Sequence, residues 1–278
     1  MLGELIHTIV DDCERRRIKC LGIGERLHGT GVYEFIFIPH LIPALAKAGY
    51  KNLISEYIFS DTQHELESLY SVLDDWKQYP VDEKITRLDK ILRETRAYPI
   101  LTYNYELLLS GSYKENILRL IIAAHLYGIE IYGMLGSSQV RNDQFVRAQL
   151  IADGGRAQMR RLKKNGKLMI YGGDMHLIAK QLQIILSDNR FKDPGNLSFG
   201  WELYNDVEVK YFHLTLLCGT EESIKKANSD PKNPNFEKGG YQYYLDRFSG
   251  LKPGMARYDF VEQEGERRGL LVYNNSNG

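Results

Sequence analysis

Acids and histidines follow the ends of three apolar segments of this chain, and their residue types are suited to water activation. Directly after these segments come Glu25, His28, Glu56, Asp174 and His176. In an open α/β sheet, the carboxyl ends of parallel strands meet at one edge, where loops join helix N-termini. We therefore expect these side chains to converge on a single site.

An acid and a histidine at one strand end can activate water in two ways. The histidine can act as a general base that a carboxylate orients, or both groups can bind a divalent metal that produces hydroxide near neutral pH. The predicted catalytic set, which is also the predicted metal set, is Glu25, His28, Glu56 and His176. Mixed carboxylate and imidazole ligands suit Zn, Mn, Co or Fe rather than calcium. There is no helix-borne HExxH motif, so the sequence leaves the metal-dependent and metal-free versions open.

Three further polar residues are predicted to bind substrate: Arg26, Arg141 and Asp174. A guanidinium beside the site can stabilise the oxyanion that forms during acyl transfer. For Arg141 the alternative is a surface residue near a helix start. For Glu25 and Glu56 the alternative is that they cap the helices that follow them, and for His176 it is a solvated loop residue. The sequence indicates no partner for His213.

These motifs and their order resemble the erythromycin esterase and ChaN-like superfamily, which also includes the TIKI and TraB proteins. The family's GE-x-x-HG turn is similar to residues 24–29, its second-strand glutamate to Glu56, and its late strand-end histidine to His176. Residues 141–143 are similar to the arginine and acid that precede the family's long helix. The resemblance implies an α/β fold and one of several roles, namely ester hydrolysis, metal-dependent peptidase activity, haem binding or an effector or toxin function.

The elements that must position these residues alternate between helices and strands. Apolar patterning predicts strands at residues 19–23, 52–58, 129–134, 167–171 and 207–217, with helices between them. This alternation predicts an α/β fold with a mainly parallel central sheet flanked by helices. Residues 32–48 are predicted to be helical, with a break or kink at Pro39 and Pro43.

Two segments are predicted to elaborate this sheet. The charged, tyrosine-rich residues 60–113 are expected to form a helical insertion, which is either a lid over the site or a solvated helical layer. Residues 190–278 are expected to form a loop-rich C-terminal elaboration with an edge strand at 270–273. Its tyrosine-rich run at 240–244 is expected to dock on the main body, and the alternative is that it lines a ligand pocket. A single core stops growing near about 250–300 residues, so residues 1–278 are expected to form one domain.

Composition narrows the classes of partner and location. Lys plus Arg and Asp plus Glu both number 36, so no global field attracts nucleic acid. The three cysteines lack a CxxC spacing, which argues against a disulfide framework and favours a cytoplasmic protein, or one exported by a signal-less route. No apolar run approaches the roughly 18–20 residues of a membrane span. The expected partner is a small-molecule or peptide substrate, and the oligomeric state is left open.

The leading functional hypothesis is a hydrolase that cleaves an ester or amide bond with water activated by histidine and glutamate, with or without a metal. One alternative is a protein that uses the same pocket without catalysis, either to bind a ligand such as haem or as a secreted effector or toxin. Tyrosine and histidine side chains are known haem ligands. Another alternative is a structural or partner-binding protein in which the acids are helix caps.

Overall fold

The computed structural model describes residues 2–26, 31–94, 111–134, 144–162, 166–177, 198–206, 208–229, 242–263 and 266–275. The strands are β1 (Cys20–Glu25), β2 (Tyr50–Ser55), β3 (Glu130–Gly133), β4 (Lys167–Gly173), β5 (Tyr211–Gly219), β6 (Ala256–Gln263) and β7 (Glu266–Asn274). The α-helices are α1 (Leu2–Arg15), α2 (Ile42–Lys47), α3 (Gln63–Asp75), α4 (Val81–Glu94), α5 (Gly111–Leu126), α6 (Gln144–Leu162), α7 (Asp174–Leu177), α8 (Gly200–Asn205), α9 (Glu221–Ser229) and α10 (Gln242–Phe248). A π-helix spans Tyr33–Leu41.

The strands form one seven-stranded sheet in the order β3-β2-β4-β1-β5-β7-β6. All neighbouring strands are parallel except β6 and β7, which form an antiparallel pair. The predicted α/β class with a mainly parallel sheet is therefore confirmed. The strand expected at the edge is β7, and it lies inside the sheet because β6, which the sequence did not reveal, covers its outer side.

Helices cover both faces of the sheet, since each strand places successive side chains on opposite faces. We call the side packed against α1, the π-helix and α2 to α5 the α1 face, where Ile23, Leu214 and Tyr171 are buried. We call the other side the α6 face. There α6, α7 and α8 pack over Ile170 and Tyr211, and α9 and α10 pack over β5 and β7.

Residues 32–48 are helical, as predicted, and their regularity changes near the two prolines. The π-helix contains Pro39, and α2 carries Pro43 near its N-terminus. Proline has no N–H to donate, so an α-helical bond cannot form at Pro39. The apolar residues of the π-helix are mostly buried, and they pack on the α1 face; Phe37 is one of them.

The predicted insertion is helical over its described part. Helices α3 and α4 bury a row of leucines in the α1-face core: Leu66, Leu69, Leu73, Leu88 and Leu92. These two helices therefore form a packed layer of the domain. Residues 95–110 lie outside the described residues, and a lid function for the insertion stays a prediction.

The C-terminal elaboration contributes three strands and three helices to the described structure. Most of the tyrosine-rich run lies at the start of α10, where Tyr244 is only 3% exposed and packs with Phe248. The prediction that this run docks on the main body is confirmed at Tyr244. Among the described residues, no helix is both long and apolar enough to cross a membrane.

The cysteines are free and buried. Burial raises the pKa of the Cys13 and Cys218 thiols to about 12, and it raises the pKa of Cys20 further. A thiol must lose its proton to act as a nucleophile. These three side chains are therefore core residues rather than reactive groups at neutral pH.

Candidate active site

Glu56 and His176 form an acid and imidazole pair where β2 and β4 end. The Glu56 N–H donates to the Tyr171 carbonyl oxygen at 2.9 Å, and the Gly173 N–H donates to the Glu56 carboxylate. Glu56 Oε1 lies 4.0 Å from His176 Nε2, and the two side chains are 15% and 8% exposed. Both main-chain bonds join Glu56 to β4, so the carboxylate is fixed beside the helix that carries the histidine.

A glycine in β4 makes room for this arrangement. A Cβ atom on Gly172 would lie 2.6 Å from Glu56 Oε2 and 2.9 Å from Met134 Cε. Cβ atoms of folded proteins essentially never approach other heavy atoms this closely. The paired glycines before Asp174 thus have two different roles, because Gly172 leaves space for the carboxylate and Gly173 donates to it.

Asp174 lies on the same face of the sheet as Glu56, over β1 and beside β5, within a buried polar cluster. Thr215 Oγ1 donates to Asp174 Oδ1 at 2.9 Å, and His213 Nε2 lies 2.9 Å from the same oxygen. Arg26 Nη1 donates to Asp174 Oδ2 at 3.3 Å. We call Arg26, Asp174, His213 and Thr215 the Asp174 cluster.

The charges of this cluster keep Asp174 ionised. Burial on its own raises the pKa of the Asp174 carboxyl, because it penalises the charged form. The nearby charges of His213, Arg26 and Arg268 outweigh that effect and hold the pKa of Asp174 well below its usual range. Asp174 is therefore a carboxylate at neutral pH.

Arg26 and Asp174, both predicted to bind substrate, bind each other in this structure. Their side chains are 12% and 2% exposed. The Arg26 guanidinium also lies 5.1 Å from the centre of the Tyr244 ring, in a cation–π contact with α10. Substrate binding by these two residues stays a prediction, and the role shown by the geometry is to join β1, α7 and α10.

Glu25 lies on the opposite face of the sheet from Glu56. Its Oε2 accepts hydrogen bonds from Tyr57 Oη at 2.8 Å and from Tyr171 Oη at 3.4 Å. The Tyr171 ring stacks on Phe37 of the π-helix, with centroids 4.1 Å apart. Glu25 is 2% exposed, so its carboxylate is enclosed by aromatic side chains of the α1 face.

Two predicted site residues, His28 and Arg141, lie outside the described residues. Within the described part of the chain, no group of three or more His, Cys, Asp or Glu side chains has the geometry of a metal site. On the α6 face, Glu56 and His176 supply two side chains of the kind that bind metals, whereas Glu25 lies on the α1 face. The metal set that includes His28 stays a prediction.

The sequence predicted that Glu56 and His176 lie at the same sheet edge, and the structure brings them within 4.0 Å of each other. The sequence missed the partners of His213. His213 is fully buried within β5 and pairs with Asp174. A signal was present, because His213 and Thr215 alternate along a strand that is otherwise apolar. In register with them, β1 places Gly22 opposite His213 and Gly24 opposite Thr215. A polar side chain beside a glycine of the neighbouring strand indicates that another element of the fold packs over that part of the sheet.

Two solved structures are similar to this chain. The structure of the type III effector HopBA1 matches with a TM-score of 0.53 and 11% identity, and the match covers 97% of this chain and 93% of HopBA1. RRSP, a MARTX toxin effector domain from Vibrio vulnificus, matches with a TM-score of 0.36 and 22% identity over 64% of this chain and 31% of RRSP. At these identities the likeness to HopBA1 shows a shared fold. No family model and no curated protein matches the chain.

Proposed function

We propose that this chain is an effector- or toxin-type enzyme that hydrolyses an ester or amide bond at the Glu56 and His176 pair. The observation that carries the proposal is a carboxylate 4.0 Å from an imidazole at adjacent strand ends, where ligands bind in open α/β sheets. The effector part of the proposal is supported by the fold shared with HopBA1, which is described as a type III effector.

The geometry suits general base catalysis by His176. The imidazole accepts a proton from water as the water attacks the carbonyl carbon, and it returns that proton to the leaving group. Glu56 stabilises the imidazolium by its negative charge, because 4.0 Å is too long for a hydrogen bond. The Gly173 N–H holds the carboxylate in place before the reaction begins, so little reorganisation is needed.

The experiment has two readouts for one set of variants. The chain is expressed from an inducible promoter in yeast, and growth is measured. The purified protein is assayed with p-nitrophenyl acetate and with casein. We expect the wild type to slow growth and to hydrolyse one of these substrates. Glu56→Gln and His176→Ala should both lose the growth effect and reduce kcat/KM. For His176→Ala the reduction should be about 10²–10⁴-fold, which is the usual contribution of a general base.

A surface histidine provides the matched control. His64 is exposed on α3, so His64→Ala should behave as the wild type in both assays. If the site variants slow growth as strongly as the wild type, hydrolysis at this pair is wrong, and an effector that acts by binding alone is favoured. If the wild type affects neither growth nor any substrate, the proposal fails as a whole. A metal requirement and haem binding stay predictions.

A further inference from the structure

Helix α7, which carries His176, is attached to β5 at both of its ends. At its first residue, Asp174 accepts from Thr215 and pairs with His213. At its last residue, the Leu177 carbonyl oxygen accepts a hydrogen bond from Tyr211 Oη. Tyr211, His213 and Thr215 alternate along β5 and therefore point to the same side of the sheet. We call these three residues the β5 clamp.

Strand β1, between β4 and β5, leaves the space that the clamp needs. A Cβ atom on Gly24 would lie 2.8 Å from His213 Nε2 and would also clash with Asp174, and one on Gly22 would clash with the Tyr211 hydroxyl. The three clamp side chains thus cross over two glycines to reach α7. Any other residue at these two positions would have to displace the clamp or the helix.

The geometry points to the β5 clamp as the device that positions His176 against Glu56. This inference rests on the proposed function, since it assigns positioning residues to that site. The described part of α7, Asp174–Leu177, contacts β5 at its first and last residues. Glu56 is joined to β4 through bonds with main-chain groups, and His176 is carried by α7. Fixing Asp174 and Leu177 leaves His176, between them, little freedom to turn away.

His213 is therefore a positioning residue and not a second catalytic base. It is fully buried within β5 and lies beneath Asp174. Its effect on His176 passes through Asp174, two residues earlier in the same helix. The same holds for the Thr215 hydroxyl, which reaches the same carboxylate oxygen, and for Tyr211 at the far end of α7.

The test measures the contact between Glu56 and His176 without any substrate. Side-chain ¹⁵N NMR spectra of the histidine rings are recorded, and His176 is assigned by its loss in His176→Ala. In otherwise wild-type protein, Glu56→Gln should move the His176 Nε2 resonance, because a charge 4.0 Å away is removed. In the backgrounds Thr215→Val and Tyr211→Phe, we expect the same substitution to move that resonance by less than half as much.

Two controls separate positioning from general loss of stability. Thr215→Ser keeps a hydroxyl donor and should restore the response of His176 to Glu56→Gln. Leu214→Ala creates a cavity on the α1 face, away from α7, and should lower the thermal midpoint while leaving the response unchanged. A full response in both Thr215→Val and Tyr211→Phe would overturn the inference, and so would its absence from the wild type. Because no turnover is measured, a chain without hydrolase activity can still pass or fail this test.

Discussion

The two faces of the sheet carry acids with the same sequence signature in two different settings. On the α1 face, Glu25 is enclosed and accepts from the hydroxyls of Tyr57 and Tyr171. On the α6 face, Glu56 accepts from a main-chain amide and lies beside His176. An acid after an apolar run thus marks a strand end on both faces, but the partners differ, because Glu25 meets two hydroxyls and Glu56 meets an amide and an imidazole.

The largest predicted effect comes from breaking the Asp174 cluster. Asp174→Asn removes the negative charge and leaves the partly buried Arg26 and the fully buried His213 without their shared carboxylate. Breaking a buried ion pair from one side typically costs about 3–5 kcal/mol of unfolding free energy. Urea unfolding at pH 7 measures this loss. Asp82→Asn is the control, because Asp82 is 88% exposed and its pair with Arg119 should contribute at most about 1 kcal/mol.

The same variant makes a prediction about pH. The pKa of Asp174 in the folded protein is below the value of about 3.9 for an unfolded chain. Ionised Asp174 therefore stabilises the fold above about pH 4, and this stabilisation is lost as the pH falls through the lowered pKa. The difference in stability between wild type and Asp174→Asn should shrink as the pH falls below 4. A difference that grows as the pH falls below 4 would contradict the assignment of the charge.

The fold was predictable because it depends on local patterns. Apolar runs of strand length between helical repeats predicted the parallel strands β1 to β5, and glycines marked several helix ends. Gly49 and Gly128 follow α2 and α5 with positive φ, a conformation that favours glycine. Strand β6 was missed because its residues 256–263 alternate Arg, Asp and Glu with apolar residues only in part. Its pairing with β7 is a tertiary contact that no local pattern reveals.

The candidate site was predictable only in part, because sequence shows where strands end but not which face each side chain takes. Glu56 and His176 meet as expected. Glu25 was placed in the same group, yet its odd position in β1 directs it with Ile23 to the α1 face. His213 had no apparent partner because its contact with Asp174 spans almost forty positions of the chain and depends on the register of β1, β4 and β5.

The next prediction compares the two glutamates directly. Glu25→Ala should cost about 1–3 kcal/mol of unfolding free energy, because two buried hydroxyls lose their acceptor. Glu56→Ala should cost less than about 1 kcal/mol, since its carboxylate lies closer to solvent, and should abolish the proposed hydrolysis and growth effect. Urea unfolding and the growth assay together measure both variants. Equal losses of stability would show that the two faces do not differ in the way described.

The smallest predicted effect lies within the α1 face, between the two tyrosines that share one oxygen of Glu25. Tyr57→Phe removes a 2.8 Å bond to a buried carboxylate and should cost about 1.5 kcal/mol. Tyr171→Phe removes a bond of 3.4 Å, which is near the outer limit for a hydrogen bond, and keeps the ring stack on Phe37. It should cost at most about 0.5 kcal/mol.

The double variant shows whether Glu25 is held by the pair or by one tyrosine. If each hydroxyl can compensate for the other, the double variant will lose more unfolding free energy than the two single variants added together. The reason is that only the double variant removes both tyrosine hydroxyls from the buried carboxylate. A sum of the single losses would mean that the two hydroxyls stabilise Glu25 independently of each other. In either case kcat/KM of the proposed reaction should stay within about twofold of wild type, since these bonds lie on the face of the sheet away from His176. A large loss of activity would place Glu25 in the site after all and would remove the distinction between the two faces.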